Sequence, residues 1–158
     1  MWYEDKEESW IPAQITKEED NGNIEAKYND KIFNFSSKQF LKMDMVELGI
    51  LSMNINDIID LPQVNEGSVL YLIRKRYLKD QIYTKLGQIQ IAVNPYKRIE
   101  VDINNYKKLK NDEQIDRIEP HCFATAMRAY NYCIESKTNQ SIIISGESGS
   151  GKTWTTKV

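Results

Sequence analysis

Eight consecutive residues carry the chemistry most legible in this sequence: Gly146, Glu147, Ser148, Gly149, Ser150, Gly151, Lys152 and Thr153. They satisfy G-x-x-x-x-G-K-[ST], the pattern of a phosphate-binding loop. Its glycines let successive backbone N–H groups curl around a phosphate without side-chain clashes. Lys152 offers a positive point charge to the β- and γ-phosphates, and the Thr153 hydroxyl is suited to complete the shell of a Mg²⁺ ion. A helix starting there would aim its first N–H groups at the same anion.

Such a loop has to be positioned by a strand before it and a helix after it. The β-branched run "SIIIS", residues 141–145, predicts a central strand buried on both faces of a parallel sheet. After the loop, "TWTTKV" supplies about one helical turn, too short to be stable alone. Residues 130–158 are accordingly expected to be poorly ordered, whereas residues 1–44 are expected to fold alone. Upstream, Pro120 is expected to open a helix at its first turn, and Phe123, Met127, Tyr130 and Ile134 recur at helical spacing as one packed face.

Earlier still, residues 81–94 read as two strands, "QIYTK" and "QIQIAVN", hinged at Gly87. The polar stretch "EVDINNYKKLKNDEQIDRIE" reads as a surface connection with some helix. Residues 45–80 read as helical, with Val69, Leu72, Ile73 and Tyr77 on one face. Arg74, Lys75, Arg76 and Lys79 are expected on its solvated face, with a patch for an anionic ligand as the alternative. Residues 1–44 read as all-β: strands in "WIPAQIT", "IEAKY" and "KIFNF", and tight turns at Asn21-Gly22 and "YNDK". Trp2, Trp10, Phe33, Phe35 and Phe40 would fill a small barrel.

Composition narrows the function classes. The chain has 158 residues, 41% hydrophobic and 28% charged, enough to build a core. A net charge of −2 lacks the basic excess that nucleic-acid binding usually needs. No apolar run approaches the roughly 20 residues of a membrane span, and the acidic start "MWYEDKEESW" lacks the layout of a signal peptide. Cys122 and Cys133 fall in one helical pattern, about 16 Å apart along the axis, too far for a disulfide. They are expected as reduced, buried thiols of a cytosolic protein. His121, the lone histidine, is expected to be structural, and no cysteine–histidine spacing suits zinc.

The phosphate loop with its flanks, "NQSIIISGESGSGKTWTTK", closely resembles that of the myosin motor family. The likeness extends through "VLYLIRKRYLKDQIYTKLG", "IAVNPYK" and "PHCFATAMRAY", in the family's order. The N-terminal "WIPAQIT" and "IEAKY" resemble the SH3-like barrel that precedes many such motors. The fold class so implied is α+β: an SH3-like β-barrel at 1–44, then at 45–158 the beginning of a P-loop NTPase α/β motor domain, truncated just after the phosphate loop.

Carried over by position, the resemblance implies ATP and Mg as cofactors. Gly146 to Thr153 would hold the triphosphate, with Thr153 on the Mg²⁺, while Asn94, Pro95, Tyr96 and Lys97 would border the adenine. Three positions depart from the family pattern. Asp102 stands in place of a tyrosine, Glu100 in place of a proline, and Trp154 in place of a glutamate. The family's two switch segments follow the phosphate loop and lie outside this sequence, so no turnover is expected of these residues alone. The complete protein is expected to be an ATP-driven actin motor, contacting the actin filament through later regions and carrying light chains. The expected location is the cytoplasm and cytoskeleton, in a myosin complex. The sequence leaves two alternatives open: another P-loop NTPase such as a kinase or GTPase, and a truncated, non-enzymatic product acting through its barrel as an interaction module.

Overall fold

Alternation of apolar and polar residues governs the first part of the chain. The computed structural model describes residues 1–40, 45, 46, 48–109 and 111–157, with Phe40, Leu48 and Asp112 described by backbone alone. The expected role of Phe40 as barrel filling and the expected boundary at residue 44 therefore lie outside the described residues. The chain divides into two units, Met1–Ile55 with Ile59–Arg74, and Asn56–Ile58 with Lys75–Val158.

In the first unit, β1 (Trp2–Asp5) pairs antiparallel with β2 (Ser9–Pro12), placing Trp2 opposite Pro12. Strands β3 (Gln14–Glu18), β4 (Ile24–Tyr28) and β5 (Lys31–Phe35) form an antiparallel sheet in that order. Reciprocal bonds of 2.9 Å between the backbones of Met1 and Ala13 tie the two sheets together. Met1, Ala13, Ala26 and Phe35 make the core, with Tyr3, Ile15, Tyr28 and Phe33 against it. Tyr3 packs its ring 4.8 Å from Phe33 and 5.0 Å from Phe35, spacings at which aromatic pairs attract beyond their buried area. Five short antiparallel strands around one core are the architecture of a small SH3-like barrel.

Four local expectations are corrected by the structure. The acidic N-terminus is itself a strand, held by antiparallel pairing with β2, with Trp2 buried and Glu4 exposed. "WIPAQIT" is two strands rather than one: Pro12 ends the first, and Ala13, between them, has its backbone bonded to Met1. The Asn21-Gly22 hairpin is present, but only Gly22 is left-handed, at φ 79°. The turn is longer than two residues: Gly22 N–H donates to Glu19 O, and Glu19 N–H donates to Asn23 O. Trp10 is half-buried, so Trp2 is the indole that fills the interior.

Beyond the barrel, residues 45–80 are not continuously helical. Short α1 (Ser37–Phe40) and α2 (Leu48–Ser52) and a 3₁₀ turn at Ile58–Asp60 precede the longer α3 (Glu66–Tyr77). The exposed Pro62 and the polar Asn54 and Asn56 interrupt the pattern. Asn65 caps α3: its Oδ1 accepts from Ser68 N–H at 2.8 Å, and Ser68 Oγ accepts from Asn65 N–H at 3.0 Å. Gly67 in the first turn lets the helix lie on Trp2, since a Cβ there would sit 2.8 Å from the indole. Arg74 anchors the same helix to Glu8 at 2.7 Å.

The second unit opens on the hairpin of β6 (Tyr83–Leu86) and β7 (Ile89–Ala92), which turns at Gly87 as expected. The polar connection that follows contains α4 (Asn104–Lys107) and α5 (Asp112–Arg117). These are not merely superficial: Tyr106 and Ile115 form a core cluster with Ala124 of α6 (Cys122–Ser136). Helix α6 begins two residues later than expected, with His121 as its cap, so Pro120 precedes the helix. Phe123 and Met127 pack against that cluster, but Tyr130 and Ile134 are exposed, so the expected packed face covers only the first half of the helix. Cys122 and Cys133 are free and half-buried rather than fully buried.

Two further expectations fail for physical reasons. Residues 141–145 form no strand, and Ile143 is 89% exposed. A strand needs ladder partners, and none of the described strands lies beside this run. Arg76, expected on a solvated face, is 2% exposed. Its guanidinium donates to Tyr83 O at 2.8 Å and Asn56 Oδ1 at 2.6 Å, and pairs with Glu119. Ser68, Leu72 and Arg76, four residues apart, are the buried stripe of α3.

Candidate functional site

The phosphate loop is shaped by three left-handed glycines, Gly146 at φ 151°, Gly149 at 81° and Gly151 at 96°. At Gly146 the requirement is also steric, because a Cβ would come within 2.7 Å of Ser150 Oγ. Ser150 N–H closes a turn onto Glu147 O at 3.2 Å. Lys152 folds back over the loop, and its ammonium donates to Gly146 O at 2.7 Å and Glu147 O at 2.8 Å. Helix α7 (Lys152–Lys157) follows, with Thr153 exposed in its first turn.

These residues fit a polyphosphate and its metal. An ammonium has three donors; two of them hold Lys152 on loop carbonyls, which leaves one to meet an anion. The backbone at Gly149 is open, with nothing within 4 Å of where a Cβ would stand, and Thr153 is exposed. Among the described residues no cluster of three or more His, Cys, Asp or Glu side chains could hold a metal by itself. A Mg²⁺ at this loop would share ligands with the phosphates, as this reluctantly dehydrating ion commonly does.

Asn94, just beyond β7, brings the second predicted segment to the loop. Its Nδ2 donates to Gly149 O at 2.9 Å, and its Oδ1 accepts from Tyr96 N–H at 2.9 Å. Tyr96 is left-handed at φ 50° and 86% exposed. Lys97 is ion-paired with Asp80 at 2.5 Å. A cleft of about 1300 Å³ is lined by Asn94, Pro95, Tyr96 and Lys97 together with Ser150 and Gly151. The other six loop residues are not among its walls. The three positions that depart from the family pattern, Glu100, Asp102 and Trp154, all line this cleft.

The supporting residues were less legible in the sequence. The Tyr77 hydroxyl donates to Asn94 O at 3.5 Å, and Asp80 holds Lys97. Beneath them, burial pushes His121 down to about 4, so the imidazole is neutral and its Nδ1 accepts from Phe123 N–H at 3.2 Å. That is a capping role, as expected of a structural histidine. Burial pushes the Asp116 carboxyl up, but hydrogen bonds from Lys85 and Arg128 outweigh it and hold the carboxyl below its ordinary value. Lys85 also donates to Ile115 O and Asp116 O, fastening α5 to the hairpin strand β6. Among the described residues no helix is long and apolar enough to cross a membrane.

Comparison with known proteins agrees with the order of these motifs. Residues 55–158 match the family model described as myosin head (motor domain). Myosin-4 of Saccharomyces cerevisiae is 34% identical over 99% of this chain, which spans 11% of that protein. Myosin type-2 heavy chain 1 of Schizosaccharomyces pombe is 35% identical over 99% of the chain and 10% of its own length. Unconventional myosin-IXAa of Danio rerio is 40% identical over 71% of the chain and 5% of its own length. The chain thus spans about a tenth or less of the curated relatives it matches. It belongs to the myosin head (motor domain) family, and comprises an SH3-like barrel followed by the start of the motor domain.

Proposed function

We propose that residues 1–158 bind Mg-ATP through Gly146–Thr153, with Asn94, Pro95, Tyr96 and Lys97 on the side of the base. One observation carries this reading: the Asn94 amide reaches Gly149 O, joining two motifs 55 residues apart at one cleft. Lys152 would exchange its loop carbonyls, in whole or part, for phosphate oxygens, and Thr153 would hold the metal. A bound triphosphate offers more negative charge than two neutral carbonyls, so the exchange is favourable.

In the complete protein the proposed activity is that of an ATP-driven actin motor in the cytoplasm and cytoskeleton, with light chains among its partners. What supports this is membership of the family together with an intact phosphate loop. For residues 1–158 by themselves the proposal is binding; turnover belongs to the complete motor.

The test is a calorimetric titration of Mg-ATP into the chain and into Lys152→Ala. Loss of a charge-assisted contact predicts affinity reduced at least about tenfold in the variant. Equal affinity in the two proteins would sink the assignment of the site.

A further inference from the structure

We propose that Asn21 is a modification site of the first unit: it deamidates through an imide formed with Gly22, at a rate gated by opening of the turn between β3 and β4.

Of the asparagines in the sequence, Asn21 alone precedes a glycine. The pairing matters because Gly22 has no Cβ to keep its backbone nitrogen away from the Asn21 side-chain carbonyl. Asn21 is also exposed, so water and base reach it. Gly22 N gives its proton to solvent base and attacks Asn21 Cγ. The N–Cγ bond forms, the Cγ–Nδ2 bond breaks, and ammonia leaves behind a five-membered imide. Water then opens the ring at either carbonyl, giving aspartate or isoaspartate. One water is consumed and one ammonia released, with no oxidant or reductant.

The folded turn restrains each of these atoms. Gly22 N–H donates to Glu19 O at 2.8 Å, a bond that must break before the nitrogen can lose its proton and reach Cγ. Asn21 Oδ1 accepts from Asn23 N–H at 2.8 Å, and Nδ2 donates to Glu19 Oε2 at 3.2 Å, which fixes the side-chain amide. The Glu19 carboxylate also opposes the negative charge that builds up on the attacking nitrogen and the carbonyl oxygen. That effect is modest, since its side chain is 45% exposed and lies 3.8 Å from Lys17. The fold needs glycine at this position for its own reasons. Gly22 is left-handed at φ 79°, and a Cβ there would stand 3.1 Å from Ser37 Cβ. The reactive pair comes with the turn.

The product marks the turn permanently. Aspartate at this position loses the bond from Nδ2 to Glu19 and lengthens the acidic run Glu18, Glu19, Asp20 by one charge. Isoaspartate also adds a methylene to the main chain inside the loop that the Glu19–Gly22 and Glu19–Asn23 bonds close.

The experiment incubates the 158-residue chain in mildly alkaline buffer, native and in guanidinium chloride. Mass spectrometry follows the tryptic peptide Glu18–Lys27, with fragment masses separating Asn21 from Asn23 and chromatography resolving isoaspartate. In the denatured chain Asn21 should convert ahead of every other asparagine. In the native chain it should convert at least about tenfold more slowly, the factor set by a turn open less than about a tenth of the time. Glu19→Gln removes the opposing charge and should speed the native reaction about twofold to threefold relative to the denatured one.

Equal native and denatured rates overturn the gate. No conversion at Asn21 in the denatured chain, or faster conversion at another asparagine, overturns the site. An unchanged ratio in Glu19→Gln overturns the part given to the carboxylate.

Discussion

The side-chain amide of Asn94 donates to the carbonyl oxygen of Gly149 at 2.9 Å, while its own oxygen accepts from Tyr96 N–H. One side chain thus closes the turn after β7 and pins the middle of the phosphate loop. Asn94→Ala is expected to free the loop and weaken Mg-ATP binding about fivefold, the effect of one neutral hydrogen bond. Asn94→Asp should weaken it further, because it sets a carboxylate against the Gly149 carbonyl and adds negative charge near the phosphates. Calorimetric titration of both variants checks the order, and an Asp variant that binds as well as the parent contradicts it.

Arg76 is the interior support of the same unit, tying α3 to Tyr83 O, Asn56 and Glu119. The Glu119 side chain is 41% exposed, so water screens and can rehydrate it; the greater loss on truncation is the buried carbonyl left without a donor. Arg76→Met is expected to cost about 2–3 kcal/mol, and Glu119→Gln about 1 kcal/mol or less. Denaturant unfolding measures both, and equal midpoints for Arg76→Met and the parent would contradict the role.

His121 makes stability depend on pH in a defined window. Its folded value is about 4 against an ordinary 6.5, because burial disfavours the charged imidazolium. Between those values the unfolded chain binds more protons than the folded one. Stability is therefore full above pH 6.5 and falls as pH drops towards 4, by at most about 1.4 kcal/mol per pH unit. Asp116, held below its ordinary 3.8, loses its contribution only below that value, so the two windows are separate. His121→Asn can still cap α6 but cannot titrate. Its unfolding midpoint should be lower, from lost packing on Tyr83 and Phe123, and flat between about pH 6.5 and 4.5. A parent protein equally flat across that range contradicts the assignment.

The phosphate loop is legible in sequence because its chemistry is local: glycine, lysine and threonine at fixed spacing suffice. Arg76 reads as solvated because a charge on a helix looks like surface until its partners arrive, and these come from Asn56, Tyr83 and Glu119. The Asn94–Gly149 contact is invisible for the same reason, spanning 55 residues. Residues 141–145 show the converse error. A β-branched run signals a preference for burial in a sheet, but a strand exists only with a ladder beside it, and Ile143 remains exposed. The barrel is legible in outline, from alternation and turns. Its first strand is hidden because Glu4 and Asp5 follow Trp2 and Tyr3 on its two faces and break the apolar alternation.

Hydrogen exchange with and without Mg-ATP tests most directly whether residues 94–97 and Gly146–Thr153 are two walls of one nucleotide site. ATP should slow amide exchange in residues 92–97 and 146–153 together, and in neither segment of Lys152→Ala. Slowing at 146–153 with none at 92–97, or slowing that survives in the variant, would contradict the proposed site.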